Sequence, residues 1–159
     1  MKISFNINNQ NRELELNPNQ TLLTVLRNNG FTEVKCGCNE GECGACLVLL
    51  DDKAVNSCQV LAMSVQNKKI KTVKGIGTLH NPNLIQKIFA GTGADQCGFC
   101  SPGMIVASYS LLKENSSPSD SEILEGLDGN LCRCTGYIKI IEAVRRSSSV
   151  LLKNNVEAE

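Results

Sequence analysis

Long apolar runs are missing from this 159-residue chain, and no stretch approaches the roughly 20 residues that a bilayer-spanning helix needs. A transmembrane reading therefore fails. Aromatic residues make up 4% of the chain, tryptophan is absent and histidine occurs once. Base-stacking platforms are thus scarce, and a Ser/His/Asp arrangement has no support. Sixteen basic residues balance sixteen acidic ones, and neither sign gathers into a block, so the basic stripe of a nucleic-acid binder is lacking. No pair of carboxylates points to acid–base catalysis. The N-terminal run Met1-Lys2-Ile3-Ser4-Phe5-Asn6 has neither the apolar region nor the small-residue cleavage site of a secretory signal, so a cytoplasmic location is expected.

What the chain does have is nine cysteines. Domains of this size bury little core, and disulfides or metals commonly make up the shortfall. Disulfides need an oxidising compartment, so the thiols are expected to be ligands. Eight of them fall into two sets. Cys38-x4-Cys43-x2-Cys46, closed by Cys58 after eleven residues, carries the plant-type ferredoxin spacing for one [2Fe-2S] cluster. Gly37, Gly41 and Gly44 suit a loop whose backbone must pass close to inorganic sulfide. A four-cysteine zinc site is the rival. Cys36 is the odd thiol, because only Cys38 has the x4 separation from Cys43, and it is taken as a non-ligand.

The second set joins Cys97-x2-Cys100 to Cys132-x-Cys134 across thirty-one residues, and this matches no common ferredoxin pattern. Zinc is a serious competitor there. The context favours a cluster, because each pair precedes an expected helix whose free N–H groups and dipole favour thiolate charge. Arg133 either raises the potential of that site, binds a partner, or is a solvated or surface-paired arginine. His80 is expected at the surface and Tyr137 in the core.

Hydrophobic period divides the chain in two. Lys2–Ile7 and Arg12–Leu16 alternate around a turn-rich Asn8–Asn11, Thr21 can cap a helix bearing Leu22, Leu23, Val25 and Leu26, and Gly30 can stop it. Leu47–Leu50 and Lys53–Val55 flank an Asp51-Asp52 turn, and Lys69–Val73 forms a last strand. Gly75-Ile76-Gly77 is expected to be a hinge, after which the period becomes helical. Helices are expected from Asn81-Pro82, from Pro102, from the capping box Ser119–Glu122, and over Ile138, Ile140, Ile141 and Val144. The expected domains are 1–76 and 77–159.

Three segments resemble the iron–sulfur subunit of the molybdenum hydroxylases, the xanthine dehydrogenase/aldehyde oxidoreductase family. They are Lys35-Cys36-Gly37-Cys38-Asn39-Glu40-Gly41-Glu42-Cys43-Gly44-Ala45-Cys46, Gln96-Cys97-Gly98-Phe99-Cys100-Ser101-Pro102-Gly103 and Gly129-Asn130-Leu131-Cys132-Arg133-Cys134-Thr135-Gly136-Tyr137. The resemblance spans nearly the whole chain and departs mildly at Leu47 and Ser101, where threonine is common. It implies an α+β fold, with a β-grasp plant-type ferredoxin domain followed by a four-helix [2Fe-2S] domain.

It also implies two [2Fe-2S] clusters here, with molybdopterin and FAD held by partner subunits. The chain is then the electron-transfer subunit of an oxidoreductase, passing electrons from molybdenum to FAD, NAD or another acceptor. Xanthine or another purine or N-heterocycle is the expected substrate, held by the large subunit, and an aldehyde, nicotinate or carbon monoxide dehydrogenase is the alternative. By the same resemblance, Gln96 and Cys134 contact the pterin. The helical site is expected to be partly dry and to face molybdenum, with the Cys38–Cys46 loop more exposed and facing the flavin. A free-standing ferredoxin-like shuttle and a zinc-stabilised interaction module are the rivals from other classes.

Overall fold

The computed structural model describes residues 1–156, so the last three residues of the expected second domain lie outside it. Strands β1 (Lys2–Ile7) and β2 (Gln10–Glu15) pair antiparallel across Asn8 and Asn9, both at positive φ. Two left-handed residues make the tight hairpin turn that suits strand twist, and asparagine tolerates that conformation better than most residues. The turn is therefore shorter than expected, and β2 begins at Gln10. Asp51 and Asp52, also at positive φ, make the same turn between β3 (Leu47–Leu50) and β4 (Lys53–Asn56).

Strand β5 (Lys69–Lys71) completes a sheet of order β2-β1-β5-β3-β4, parallel to β1 and antiparallel to β3. Helix α1 (Leu22–Asn28) is capped by Thr21, and its Leu22, Leu23, Val25 and Leu26 join Phe5, Ile7, Val48 and Ile70 in one core. This is the expected β-grasp arrangement.

The Gly75–Gly77 segment is not a hinge. Val73–Ile76 forms a short helix, α2, and its glycines are sites of close packing. A Cβ on Gly75 would meet Asn8 Oδ1 at 2.2 Å, and one on Gly77 would meet Gln86 Oε1 at 2.1 Å. Just before α2, the fully buried Thr72 is a polar junction. Its N–H donates to Asn8 Oδ1 (2.8 Å), its hydroxyl donates to Glu33 Oε1 (2.8 Å), and Lys74 pairs with Glu33 Oε2 at 3.1 Å. The hairpin tip, the segment ahead of the first cysteine loop and the connection between the halves are thus tied at one point.

Helix α3 (Leu84–Thr92) starts later than Asn81-Pro82 suggests. Asn83 is the cap, accepting from Ile85 N–H, while Gln86 Oε1 accepts from the Asn83 N–H (2.7 Å). Helix α4 (Ser101–Glu114) has Pro102 in its first turn, and α5 (Asp120–Leu127) has the expected Ser119/Glu122 capping box. Helix α6 (Ile138–Val156) buries Ile140, Ala143 and Val144, whereas Ile138 is exposed, as is Leu124 of α5. Ile85, Phe89, Met104, Leu112, Ile123 and Leu127 share a second core with α6.

The two cores meet where α4 lies against β3 and β4. Lys113 pairs with Asp52 at 3.0 Å across that boundary, and Lys71 Nζ lies 5.7 Å from the centre of the Tyr109 ring. Among the described residues, no helix is long and apolar enough to cross a membrane.

Candidate metal centres

The first cysteine loop runs between α1 and β3, and its local conformation follows from small residues. Gly44 sits at φ +67, where a side chain would be strained, and a Cβ on Gly37 would stand 2.6 Å from Cys43 Sγ. The backbone therefore closes tightly around the sulfurs. Glu40 N–H donates to Cys38 Sγ at 3.3 Å, and Cys38 N–H donates to Cys43 Sγ at 3.4 Å. Backbone N–H groups of Glu40, Cys43 and Glu42 bring the Cys38 thiol down to about 7. Stabilising negative sulfur with backbone donors is what an anionic iron–sulfur centre requires.

Cys46 at the start of β3 faces Cys58 in the turn after β4, and both are buried. Burial, reinforced by Cys58, pushes Cys46 up to about 11. Gln59 Nε2 reaches Cys58 Sγ at 3.4 Å, and Asn56 holds the loop by donating to the Gly41 carbonyl at 2.8 Å. Cys36 is exposed, and its Sγ donates to Asn39 Oδ1 at 3.2 Å, outside the paired thiols.

The second set converges from two segments. Cys97 and Cys100 precede α4, with Cys100 at its N-cap, and Cys132 and Cys134 precede α6. Cys100 meets Cys132, and Cys97 meets Cys134, which is raised by the hydrogen bond and charge of that neighbour. Burial, then the Cys132 and Cys97 sulfurs, push Cys100 up to about 12. Burial works against ionisation of Cys132 too, yet the Thr135 hydroxyl (Oγ to Sγ 3.1 Å) and the backbone N–H groups of Thr135 and Cys134 bring it down to about 7. Tyr137, at φ +68, turns back so that its hydroxyl accepts the Cys132 N–H at 2.9 Å, and its own N–H donates to Thr135 Oγ.

Thiols in pairs are the pattern of a two-iron centre, in which each iron takes two cysteines. The residues present thus fit a [2Fe-2S] cluster at each site.

Exposure overturns one expectation. The helical site is the wetter of the two, with Gln96, Cys97 and Cys134 exposed, while Cys46 and Cys58 of the ferredoxin-like site are buried. Phe99 (48% exposed), Leu131 (60%) and Ile138 (74%), each within four positions of a cysteine of this set in sequence, are exposed as well. Cys100 and Cys132 pack against the second core, whereas Cys97 and Cys134 are exposed. His80 lies at the surface as expected. Tyr137 packs against the second core and also latches the ligand loop, a role that sequence reasoning missed along with those of Thr135 and Gln59. A hydroxyl or amide adjacent to a cysteine motif was the only signal available for them.

Comparison with known proteins follows the same division. A model of the 2Fe-2S iron-sulfur cluster binding domain matches residues 5–71, and a model of the [2Fe-2S] binding domain matches residues 72–145. The nicotinate dehydrogenase small FeS subunit of Eubacterium barkeri is 46% identical over 144 residues, covering 90% of this chain and 92% of that protein. Xanthine dehydrogenase of Emericella nidulans is 40% identical over 144 residues, but the match takes in only 11% of its length against 84% of this chain. The crystal structure of quinoline 2-oxidoreductase from Pseudomonas putida 86 superposes with a TM-score of 0.90 at 38% identity, covering 96% of each chain.

Proposed function

The chain belongs to the two-cluster iron–sulfur subunits of the molybdenum hydroxylases, and from that premise we propose that it conducts electrons between a molybdenum–pterin subunit and a flavin subunit of an N-heterocycle hydroxylase. Cys38, Cys43, Cys46 and Cys58 hold one [2Fe-2S] cluster, and Cys97, Cys100, Cys132 and Cys134 hold the other. The boundary between the two cluster domains falls in the Val73–Gly77 connection. Each cluster, when bound, supplies a one-electron acceptor and donor.

The protein's own residues do the rest. Backbone N–H groups of the Cys38–Cys43 loop stabilise thiolate charge on one side, and the Thr135 hydroxyl does so on the other. Gln96 and Cys134, together on the exposed rim, are the contacts to the pterin, and the Cys38–Cys46 loop is turned to the flavin.

The observation that carries this reading is the apolar rim at the second set of thiols. Phe99, Leu131 and Ile138 are exposed apolar residues within four positions of the second set of cysteines in sequence, and a cluster held there would be sensitive to water and oxidants, so they support a permanent lid from a partner subunit. A soluble shuttle is expected to present a charged docking patch instead, and the chain is neutral overall. Aldehyde enzymes are among the relatives too, but this chain covers only 11–17% of their length, whereas the relatives it spans almost fully are nicotinate, xanthine and quinoline enzymes, which favours a nitrogen heterocycle as substrate, with xanthine one member of that class. Free thiols throughout the described residues support a cytoplasmic location.

Purification from the native source tests the proposal. The expected preparation contains a molybdopterin-bearing and a flavin-bearing subunit and about four iron and four acid-labile sulfide per copy of this chain. Its reduced EPR spectrum shows two distinct [2Fe-2S] signals. A zinc-only chain, or one that runs alone with no partner subunit, sinks the proposal.

A further inference from the structure

Among the described residues, seven non-glycine residues adopt positive φ, and six of them are asparagine or aspartate, which tolerate the left-handed region. The seventh is Tyr137, at φ +68. A bulky residue in that region is strained, and such strain persists only where surrounding contacts hold it. Gly136, at φ +60, enters the same turn freely, so the strain of the reversal before α6 falls on the tyrosine. The contacts that hold it all lead to Cys132. The phenol oxygen accepts the Cys132 N–H at 2.9 Å, and the Tyr137 N–H donates to Thr135 Oγ at 3.2 Å, while the ring packs against the second core. In the first turn of α6 the Tyr137 carbonyl accepts the Ile141 N–H at 2.9 Å.

Thr135 is the link. Its oxygen accepts the Tyr137 N–H, so its single proton is left to point at Cys132 Sγ, 3.1 Å away. Upstream of that sulfur the N–H groups are engaged elsewhere, that of Leu131 by the Cys43 carbonyl at 3.0 Å and that of Cys132 by the phenol. Donors to the sulfur therefore come from the Cys134–Thr135 side, and the turn at Tyr137 decides how well the Thr135 hydroxyl reaches it. We propose that Tyr137 is a positioning residue for the second site, its hydroxyl clamping a strained left-handed turn whose backbone N–H aims the Thr135 hydroxyl at Cys132 Sγ. The proposal rests on the ligand sets given above. Without the phenol oxygen the turn relaxes out of the left-handed region, the Tyr137 N–H leaves Thr135, and the hydroxyl rotates to water. A donor to sulfur favours the reduced state, so its loss disfavours reduction of the second centre alone.

The test uses the full chain loaded with iron and sulfide and poised at a fixed solution potential near the midpoint of the second centre, with EPR reading the reduced fraction of each centre. Tyr137→Phe keeps the ring and removes the hydroxyl. The ratio of reduced to oxidised second centre is expected to fall roughly fivefold, as in Thr135→Val, with the first centre unchanged. The double variant is expected to fall no further than Thr135→Val alone, because both residues act through one hydrogen bond. A double variant whose fall is the product of the two single falls overturns the proposal. A wild-type ratio in Tyr137→Phe does so as well, and either result leaves the ligand sets standing.

Amide hydrogen exchange supplies a readout of the clamp itself. The N–H groups of Cys132 and Tyr137 are expected to be protected in the wild-type chain, and those of positions 132 and 137 are both expected to lose protection in Tyr137→Phe. Retained protection at position 137 means that the turn stands without its clamp, and it overturns the proposal. Where Tyr137→Phe does not hold its second centre, the same exchange measurement on metal-free wild-type and variant chains decides by the same two outcomes. A wild-type chain that binds no iron removes the ligand sets and the role of Tyr137 with them.

Discussion

The two halves of the molecule solve one problem in opposite ways. In the ferredoxin-like half, three of the four thiols lie on a single loop between α1 and β3, the fourth follows β4, and the pair nearest the sheet is buried. In the helical half, the thiols come as two pairs from two segments, meet ahead of the N-terminal turns of α4 and α6, and leave Cys97 and Cys134 exposed. A loop that encloses its own site needs glycines for curvature and backbone N–H groups for charge. A site made by two helix ends needs side-chain latches, and Thr135 and Tyr137 supply them. The enclosed site is finished within the chain, whereas the exposed one is, on the proposed reading, covered by a partner's surface.

Replacing ligands should give the largest effect and separate the halves most cleanly. Cys58→Ser and Cys97→Ser are each expected to cut iron from about four to about two per chain, each removing only its own EPR signal. Loss of both signals from either substitution breaks the idea that the sites assemble independently. In the same loaded protein, Cys36 should be the one thiol that alkylating reagents modify, because it is exposed and outside both sets. Mass spectrometry after labelling reads this directly.

Gly44→Ala comes next, because it strikes the place where the halves join. The left-handed conformation alone costs a non-glycine residue about 1–2 kcal/mol, and the contacts with Asn130 and Gly129 add to it. A loss of stability of more than about 2 kcal/mol is expected on denaturant unfolding. An unchanged midpoint would mean that the loops slide past each other freely.

A subtler change should distinguish how the two sites are tuned. Thr135→Val removes a hydroxyl donor from Cys132 while keeping the side chain's shape. A donor to sulfur favours the more negative, reduced state, so its loss should lower the potential of the helical centre alone. A differential of about 1 kcal/mol corresponds to roughly 40 mV in a one-electron couple. Redox titration followed by EPR resolves the two centres, and an equal shift in both contradicts the assignment.

Smallest of all, Ser119→Ala deletes the cap of α5 and should cost the helical half about 1 kcal/mol. Thermal unfolding measures that loss, and the EPR signal of the ferredoxin-like centre should be untouched.

Much of this is legible in the sequence. The spacing of Cys38, Cys43 and Cys46, the Asp51-Asp52 turn, the Thr21 and Ser119 caps and the change of period near residue 75 are local features, and local sterics enforce them. Where sequence reading went astray, a contact distant in sequence was responsible. Gly75 and Gly77 look like a flexible hinge until Asn8 and Gln86 are seen to fill the space beside them. Ile138 looks like a core residue by helical period, yet it begins its helix at the rim of the second site and faces outward.

The chain by itself determined which residues have the chemistry to bind an iron–sulfur cluster, because thiolates are the ligands such clusters take and their spacing limits which can share a loop. Tertiary structure alone decided that Cys97 meets Cys134 and Cys100 meets Cys132, that the helical site is the exposed one, and that Leu131 reaches Cys43. The physical reason is distance along the chain. Pairings between segments separated by tens of residues depend on how α4 and α6 pack against the sheet domain and each other, and no local propensity encodes that packing.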